Sequence, residues 1–323
     1  MNKVIVTGAT GFIGSAFVEY LIKNGVEVLA LGRKDMSEIS EIRRRKLKNA
    51  QYLKLDMNSI FMLGKVLSEI GWDVGQDCVF FNLAWGGKSG LSDMDVEAQM
   101  RNVVWSLSAL EIAKKIGCSR FIQVGTMEEA FTEKYLELDH HKNTEYNRHV
   151  IYSVAKMTAK TTLAVKASQL DMDYIYVLHS HVMGPDDDKN SFLQVTLQKL
   201  MRGDELMFSS GEQFFDVISL NDCSLGYYLI CQKGKTGSEY WVGSGDPRRL
   251  REYVESMYKL FPSGVEMQFG KLPYNDIVLN QDVFSIRNLT YDTGYIPTMS
   301  YEQTVKELHD HLGNVPKFSR LES

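Results

Sequence analysis

The stretch Val6 to Phe17, VTGATGFIGSAF, decides how the chain is read. Glycines at 8, 11 and 14 separate the apolar run KVIVTG from the helix-like segment SAFVEYLIKNG. Such glycines permit a tight turn and a close approach of backbone to ligand. The start of the following helix offers N–H groups and positive partial charge to a pyrophosphate. The glycine pattern is weak by itself, but its strand–turn–helix setting makes it a dinucleotide-binding loop. Gly8, Thr10, Gly11, Phe12, Ile13 and Gly14 are the expected cofactor contacts there.

Working outward, EVLALG, QYLKLD, CVFFNLAW, RFIQVGT and DYIYVLHS read as further strands. Helix-like segments such as MRNVVWSLSALEIAKKIG lie between them and close at glycine. Alternating strands and helices imply an α/β chain with a doubly wound parallel sheet. Near-continuous apolar strands are those of a sheet covered on both faces. After about residue 180 the segments shorten, and Gly184-Pro185 followed by Asp186 to Asp188 reads as a turn. The expected division is a nucleotide-binding domain over 1–180 and a smaller, mixed, mostly substrate-binding domain over 181–323. A strand near 214–230, beginning with FFDVISL, is expected to return to the first.

The bulk properties exclude other classes. The chain has 323 residues, 44% hydrophobic and 24% charged, with a net charge of −5. That balance gives no reason to expect nucleic acid or membrane as a partner. The basic run EIRRRKLKN (41–49) alternates with apolar positions and reads as a solvated helix face. Four dispersed cysteines without a CxxC pair suit a reducing compartment and neither a zinc site nor a disulfide scaffold. With no signal peptide evident at MNKVIVTGAT and no apolar run long enough to cross a bilayer, a cytoplasmic protein is expected.

The end of the second strand asks which dinucleotide binds. An acid there would hold ribose hydroxyls, whereas a 2′-phosphate wants a cation. The sequence gives Gly32, Arg33 and Lys34, with no acid until Asp35. Arg33 and Lys34 are either solvated loop cations or the reason to favour NADP over NAD. Asp56, followed by Met57, is placed to meet the adenine or else to cap the next helix.

In HVIYSVAKMTAKTTLAVKA, Tyr152 and Lys156 are four residues apart and share a helix face. A phenol is a poor acid–base group at neutral pH unless cationic neighbours lower its pKa. A lysine one turn away, with an oxidised nicotinamide, would do so.

The three glycines, Thr126 after the fifth strand and Tyr152-x-x-x-Lys156 together resemble the extended short-chain dehydrogenase/reductase family. The nearest likeness is to its nucleotide-sugar epimerases, dehydratases and 4-ketoreductases. The resemblance covers residues 1–190 most closely and implies a Rossmann-type fold. By that resemblance Tyr152 is the general acid/base, Lys156 holds the nicotinamide ribose and depresses the tyrosine pKa, and Thr126 donates to the same substrate oxygen. Leu83, Ala84 and Trp85 would flank the cofactor. A homodimer through two helices per subunit, one bearing Tyr152, is implied as well.

The stretch VGTMEEAF (124–131) separates the family's chemistries. In the dehydratases an acid or serine typically follows the threonine, then Glu. Here Met127 stands first, and a thioether moves no proton; Glu128 matches the second. Glu128 and Glu129 are alternatively the favoured carboxylates of a helix start. Met127 counts against dehydration and Arg33 against an NAD-retaining epimerase. The expectation is therefore reduction, by NADPH, of the C4 keto group of a nucleotide-linked 4-keto-6-deoxy sugar in polysaccharide biosynthesis. A 4,6-dehydratase or 4-epimerase is the alternative.

Phe215 occupies the place where many nucleotide-sugar enzymes carry an arginine for the diphosphate. Lys88, in WGGKSG, and Arg248, Arg249 or Arg251 are substitutes for that duty, with Met127 near the substrate. His179 and His181 read as structural, His140-His141 as a polar loop, and Asp186 to Asp188 as a solvated turn rather than a metal site.

Overall fold

The computed structural model describes residues 1–87, 92–136, 150–187, 191–273 and 277–314. The six apolar runs form β1 (Lys3–Thr7), β2 (Glu27–Gly32), β3 (Gln51–Lys54), β4 (Val79–Asn82), β5 (Arg120–Val124) and β6 (Asp173–His179). Shorter strands follow: β7 (His181–Met183), β8 (Leu206–Met207), β9 (Phe214–Phe215), β10 (Val217–Ser219), β11 (Glu239–Val242), β12 (Arg248–Arg249) and β13 (Met267–Gln268). The helices of the first half are α1 (Phe12–Lys23), α2 (Glu41–Leu47), α3 (Leu63–Ile70), α4 (Val96–Ile116), α5 (Glu128–Leu136) and α6 (Val150–Gln169). Those of the second are α7 (Phe192–Arg202), α8 (Leu220–Lys233), α9 (Leu250–Leu260), α10 (Arg287–Thr293) and α11 (Tyr301–Asn314).

The main sheet has seven parallel strands in the order β11-β6-β5-β4-β1-β2-β3. Side chains alternate across it, and both faces are covered. Ile5, Leu29, Phe80 and Phe121 enter a core with α3, α4 and α6, whereas Val4, Val6, Phe81 and Ile122 enter one with α1, α8 and α10. Burial on both sides is why the runs lack polar alternation. The strand order reverses at β1 and β4, so the carboxyl ends of these two strands border the crevice in which such sheets bind ligands.

The second half builds its own core from Met183, Leu193, Leu197, Val254, Met257, Val305 and Leu308. The division is not clean, because α8, β11 and α10 return to the large sheet. The strand expected near 214–230 is corrected by the topology. Residues 214–219 form β9, paired with β12, and β10, paired with β7, and neither joins the main sheet. The returning strand is β11. Residues 220–230 are helical, with Ser219 accepting the Asp222 N–H at 3.0 Å as the N-cap.

Candidate active site

Three strand ends make the floor of the crevice. Thr7 donates to Asn82 Oδ1 at 2.6 Å, and Asn82 Nδ2 donates to Gln123 Oε1 at 2.7 Å. Ala84 N–H donates to Thr7 Oγ1 at 3.1 Å, which turns the chain after β4 toward the glycine loop. All three side chains are buried, and their polar atoms satisfy one another. Sequence reading passed over Asn82 and Gln123; the available signal was a lone amide inside each apolar run.

The glycine loop fits a dinucleotide pyrophosphate. Gly8 has φ +68°, and a Cβ there would meet Ala84 N at 3.0 Å. A Cβ on Gly14 would fall 2.2 Å from the Gly8 carbonyl oxygen, so only glycine lets α1 start this close to β1. α1 begins at Phe12 with no side-chain cap and no acid in its first turn, leaving its positive end to a ligand. Arg33 and Lys34 are exposed beyond β2. Asp35 is ion-paired with Lys54. Asp56 caps the 3₁₀ turn Met57–Met62 by accepting the Asn58 N–H at 3.0 Å, and Met57 packs against the core. Asp56 thus performs the capping role that was its alternative reading.

On the opposite wall, β5 delivers Thr126 and α6 delivers Tyr152 and Lys156. The Thr126 hydroxyl and the Tyr152 phenol are hydrogen-bonded, and Thr126 Oγ1 also accepts the Glu128 N–H at 3.3 Å. Trp85 stands edge-on to Tyr152, with ring centroids 6.2 Å apart. Its indole N–H donates to Gln99 Oε1 at 2.8 Å. The Gly86 N–H donates to Asn102 Oδ1 at 2.6 Å, so α4 straps the 84–87 loop beside the tyrosine. Gln99 and Asn102 were not anticipated; inside an amphipathic helix nothing distinguished them from surface amides.

The electrostatics correct one expectation. Lys156 Nζ donates to the Val124 carbonyl at 2.8 Å and lies 4.0 Å from the Trp85 ring centroid, against 5.8 Å for Tyr152. On balance the protein's own groups do not lower the phenol pKa. Burial raises it above the ordinary value of 10.0, the Thr126 hydrogen bond opposes this, and the Glu128 and Glu129 carboxylates add to it. The phenol is held protonated.

The two glutamates part ways. Glu129 is 2% exposed, and its Oε1 accepts from the Thr126 N–H at 2.9 Å and the Tyr176 hydroxyl at 2.7 Å. Burial lifts its pKa from 4.5 to about 7. Glu128 is half-buried, and its charge reaches both Tyr152 and His181. Met127 is turned into the core at 8% exposure. His181 lies on Phe215 with ring centroids 5.5 Å apart, and its buried Nε2 has no hydrogen-bond partner among the described residues. Desolvation lowers its pKa to about 4, so it is neutral. His179 Nδ1 lies 2.9 Å from the Ser180 carbonyl.

Arg248 is paired across β12 and β9 with Phe215 and is held in a framework of acids and rings. It pairs with Glu302 at 2.6 Å and Asp246 at 2.5 Å, between Tyr253 and Tyr301. Arg249 and Arg251 share Glu212 and are nearly half exposed. Lys88, His140, His141 and Asp188 lie outside the described residues. Asp186 is drawn inward by Lys46 at 3.1 Å and His311 at 3.3 Å. No group of three metal-ligating side chains occurs among the described residues, nor any helix long and apolar enough to cross a membrane.

The model of the NAD dependent epimerase/dehydratase family matches residues 4–243. CDP-abequose synthase of Salmonella typhimurium is 25% identical, over 94% of this chain and 96% of its own length. The UDP-glucose 4-epimerase of Thermotoga maritima, solved with UDP-glucose, superposes with a TM-score of 0.76 at 20% identity, covering 96% of this chain and 98% of that one. The dTDP-glucose 4,6-dehydratase of Bacillus anthracis, solved with NAD, gives 0.75 at 18% identity and 98% coverage of both chains.

Proposed function

The chain belongs to the NAD dependent epimerase/dehydratase family, and from that premise we propose that it is an NADPH-dependent reductase of a nucleotide-linked 4-keto-6-deoxy sugar. The observation that carries the reading is the buried phenol of Tyr152 hydrogen-bonded to Thr126, a pair of hydroxyls that can hold a carbonyl oxygen and give it a proton. Met127 supports reduction over dehydration, because the position following Thr126 is an apolar side chain packed in the core. Relatives named for CDP-, dTDP- and UDP-linked sugars support the substrate class.

Gly8, Gly11 and Gly14 with the start of α1 would hold the pyrophosphate, Arg33 the adenosine end, and Lys156 and Trp85 the nicotinamide end. The chemistry that the nicotinamide supplies when bound is a hydride for the carbonyl carbon. Thr126 and Tyr152 orient the carbonyl oxygen between two hydroxyls, and Tyr152 gives the proton that oxygen needs as it becomes an alkoxide. His181 and Phe215, with ring centroids 5.5 Å apart, would face the sugar, where a neutral imidazole and an aromatic face suit a deoxy position. We propose further that two copies pair through α4 and α6, whose outward Val104 and Val165 are 59% and 56% exposed.

The test is a panel of nucleotide 4-keto-6-deoxy sugars, followed by loss of NADPH. Consumption of NADPH with one reduced product supports the reading. A protein that purifies with NAD and converts a nucleotide sugar without added cofactor refutes it in favour of the dehydratase or epimerase, a reading that Glu128 beside Tyr152 and the NAD-bound dehydratase neighbour favour.

A further inference from the structure

We propose that Glu129 and Tyr176 are positioning residues that hold Thr126 against Tyr152; the role rests on the reading above, in which those two hydroxyls meet the substrate oxygen. β5 ends at Val124, and the chain's last bond to β6 runs from the Gly125 N–H to the Val177 carbonyl at 2.7 Å. Thr126 lies one residue beyond, where no strand pairing fixes it. Its N–H is answered instead by Glu129 Oε1 at 2.9 Å, while its Oγ1 accepts the Glu128 N–H. Thr126-x-x-Glu129 is thus a capping box, a local device at many helix starts.

Three observations take it beyond a cap. The Glu129 carboxyl is buried, as are Thr126 and Tyr176, and a buried carboxyl is costly unless its partners are in place. Tyr176, which comes from β6, brings the second observation. Its hydroxyl proton lies between Glu129 Oε1 at 2.7 Å and the Lys156 carbonyl at 3.2 Å, a three-centre arrangement. A brace therefore runs from Thr126 through Glu129 and Tyr176 to the turn of α6 that carries Tyr152 and Lys156. Gly125 is the third, because it leaves room for the brace. A Cβ there would fall 2.5 Å from both Glu129 Oε1 and the Tyr176 hydroxyl. From the other side, Lys156 Nζ holds the Val124 carbonyl at 2.8 Å. Residues 124 to 126 are clamped to α6 at both ends. Two hydroxyls that must meet one oxygen tolerate little error, since a displacement of about 1 Å can cost about 10²-fold in rate.

The experiment compares Glu129→Met, Glu129→Gln and Tyr176→Phe with the wild type on whichever nucleotide sugar it converts. Glu129→Met keeps the length of the side chain and removes the acceptor. It and Tyr176→Phe should each lower kcat by about 10–10²-fold, with KM and the calorimetric Kd of the dinucleotide within about threefold. Glutamine keeps the oxygen, so Glu129→Gln should come within about fivefold of the wild type. A substrate-free readout is the NMR signal of Tyr152 in protein labelled at tyrosine Cζ, identified by its loss in Tyr152→Phe. That signal should shift in Glu129→Met and Tyr176→Phe as the Thr126 hydroxyl moves. Should Glu129→Met not fold, Tyr176→Phe is read in the same way. An unmoved Tyr152 signal, wild-type kcat in Tyr176→Phe, or a Glu129→Gln as slow as Glu129→Met overturns the proposal. A wild type that dehydrates or epimerises its substrate overturns the reductase reading alone, and the same ratios then judge the brace on that turnover. If the wild type converts no nucleotide sugar, the reading falls and the Tyr152 signal decides the brace.

Discussion

Replacing Glu129 by glutamine should change how the stability of the fold depends on pH. The Glu129 carboxyl is buried beneath Thr126, and desolvation lifts its pKa from 4.5 to about 7 against the hydrogen bonds from Tyr176 and the Thr126 N–H. The folded chain therefore holds this proton more tightly than the unfolded chain does. The resulting stabilisation is complete below about pH 4.5 and disappears as the pH rises through about 7. Each tenfold change in proton affinity is about 1.4 kcal/mol, so the full span is about 3 kcal/mol. Glutamine keeps an oxygen for Thr126 and Tyr176 but cannot ionise. It also places an amide NH₂ where Oε2 has no hydrogen-bond partner among the described residues, which costs about 1–3 kcal/mol at every pH. The height of the curve is thus not diagnostic, but its slope is. Urea unfolding from about pH 5 to about pH 8.5 should show the wild type losing about 3 kcal/mol relative to Glu129→Gln. Parallel curves for the two proteins would refute the raised proton affinity assigned to Glu129.

Three further outcomes follow from the site and its flank. Tyr152→Phe should lower turnover of the keto-sugar by about 10²–10⁴-fold while leaving NADPH binding intact, as measured by stopped-flow turnover beside calorimetry. Gly14→Ala should abolish cofactor binding, because its Cβ would fall 2.2 Å from the Gly8 carbonyl oxygen; retained calorimetric binding would contradict the tight-loop geometry. Val104→Asp places a charge on the exposed apolar face of α4 and should shift the protein toward monomer in sedimentation velocity, with its far-UV spectrum unchanged.

The fold was legible because its signals are local and redundant. Each of the six strands announced itself as an apolar run, and the glycine loop fixed which end of the sheet binds. The 214–230 segment misled because FFDVISL has the composition of a strand, whereas only pairing partners reveal that β9 and β10 form small sheets of their own. At the site, Tyr152 and Lys156 stood out by their spacing and Thr126 through the family resemblance, and the structure brings Thr126 and Tyr152 together. The lysine's placement was not visible. Whether an ammonium faces a phenol or a carbonyl depends on the Val124 backbone and Trp85, which lie 32 and 71 positions away in sequence. Glu128 and Glu129 are adjacent and chemically identical, so burial alone separates them. The same holds for Arg43 and Arg44 in the basic run of α2, of which the second alone is exposed.

The chain of hydroxyl and amides from Thr7 through Asn82 to Gln123 has a consequence for how this protein responds to its surroundings. None of the three can gain or lose a proton near neutrality, so the base of the groove is electrically silent. Shifted proton affinities belong instead to the wall opposite, at Glu129, Tyr152 and His181. The two functions are thereby separable: one surface supplies an invariant seat, and the other can be retuned, one titrating side chain at a time, without unsettling it.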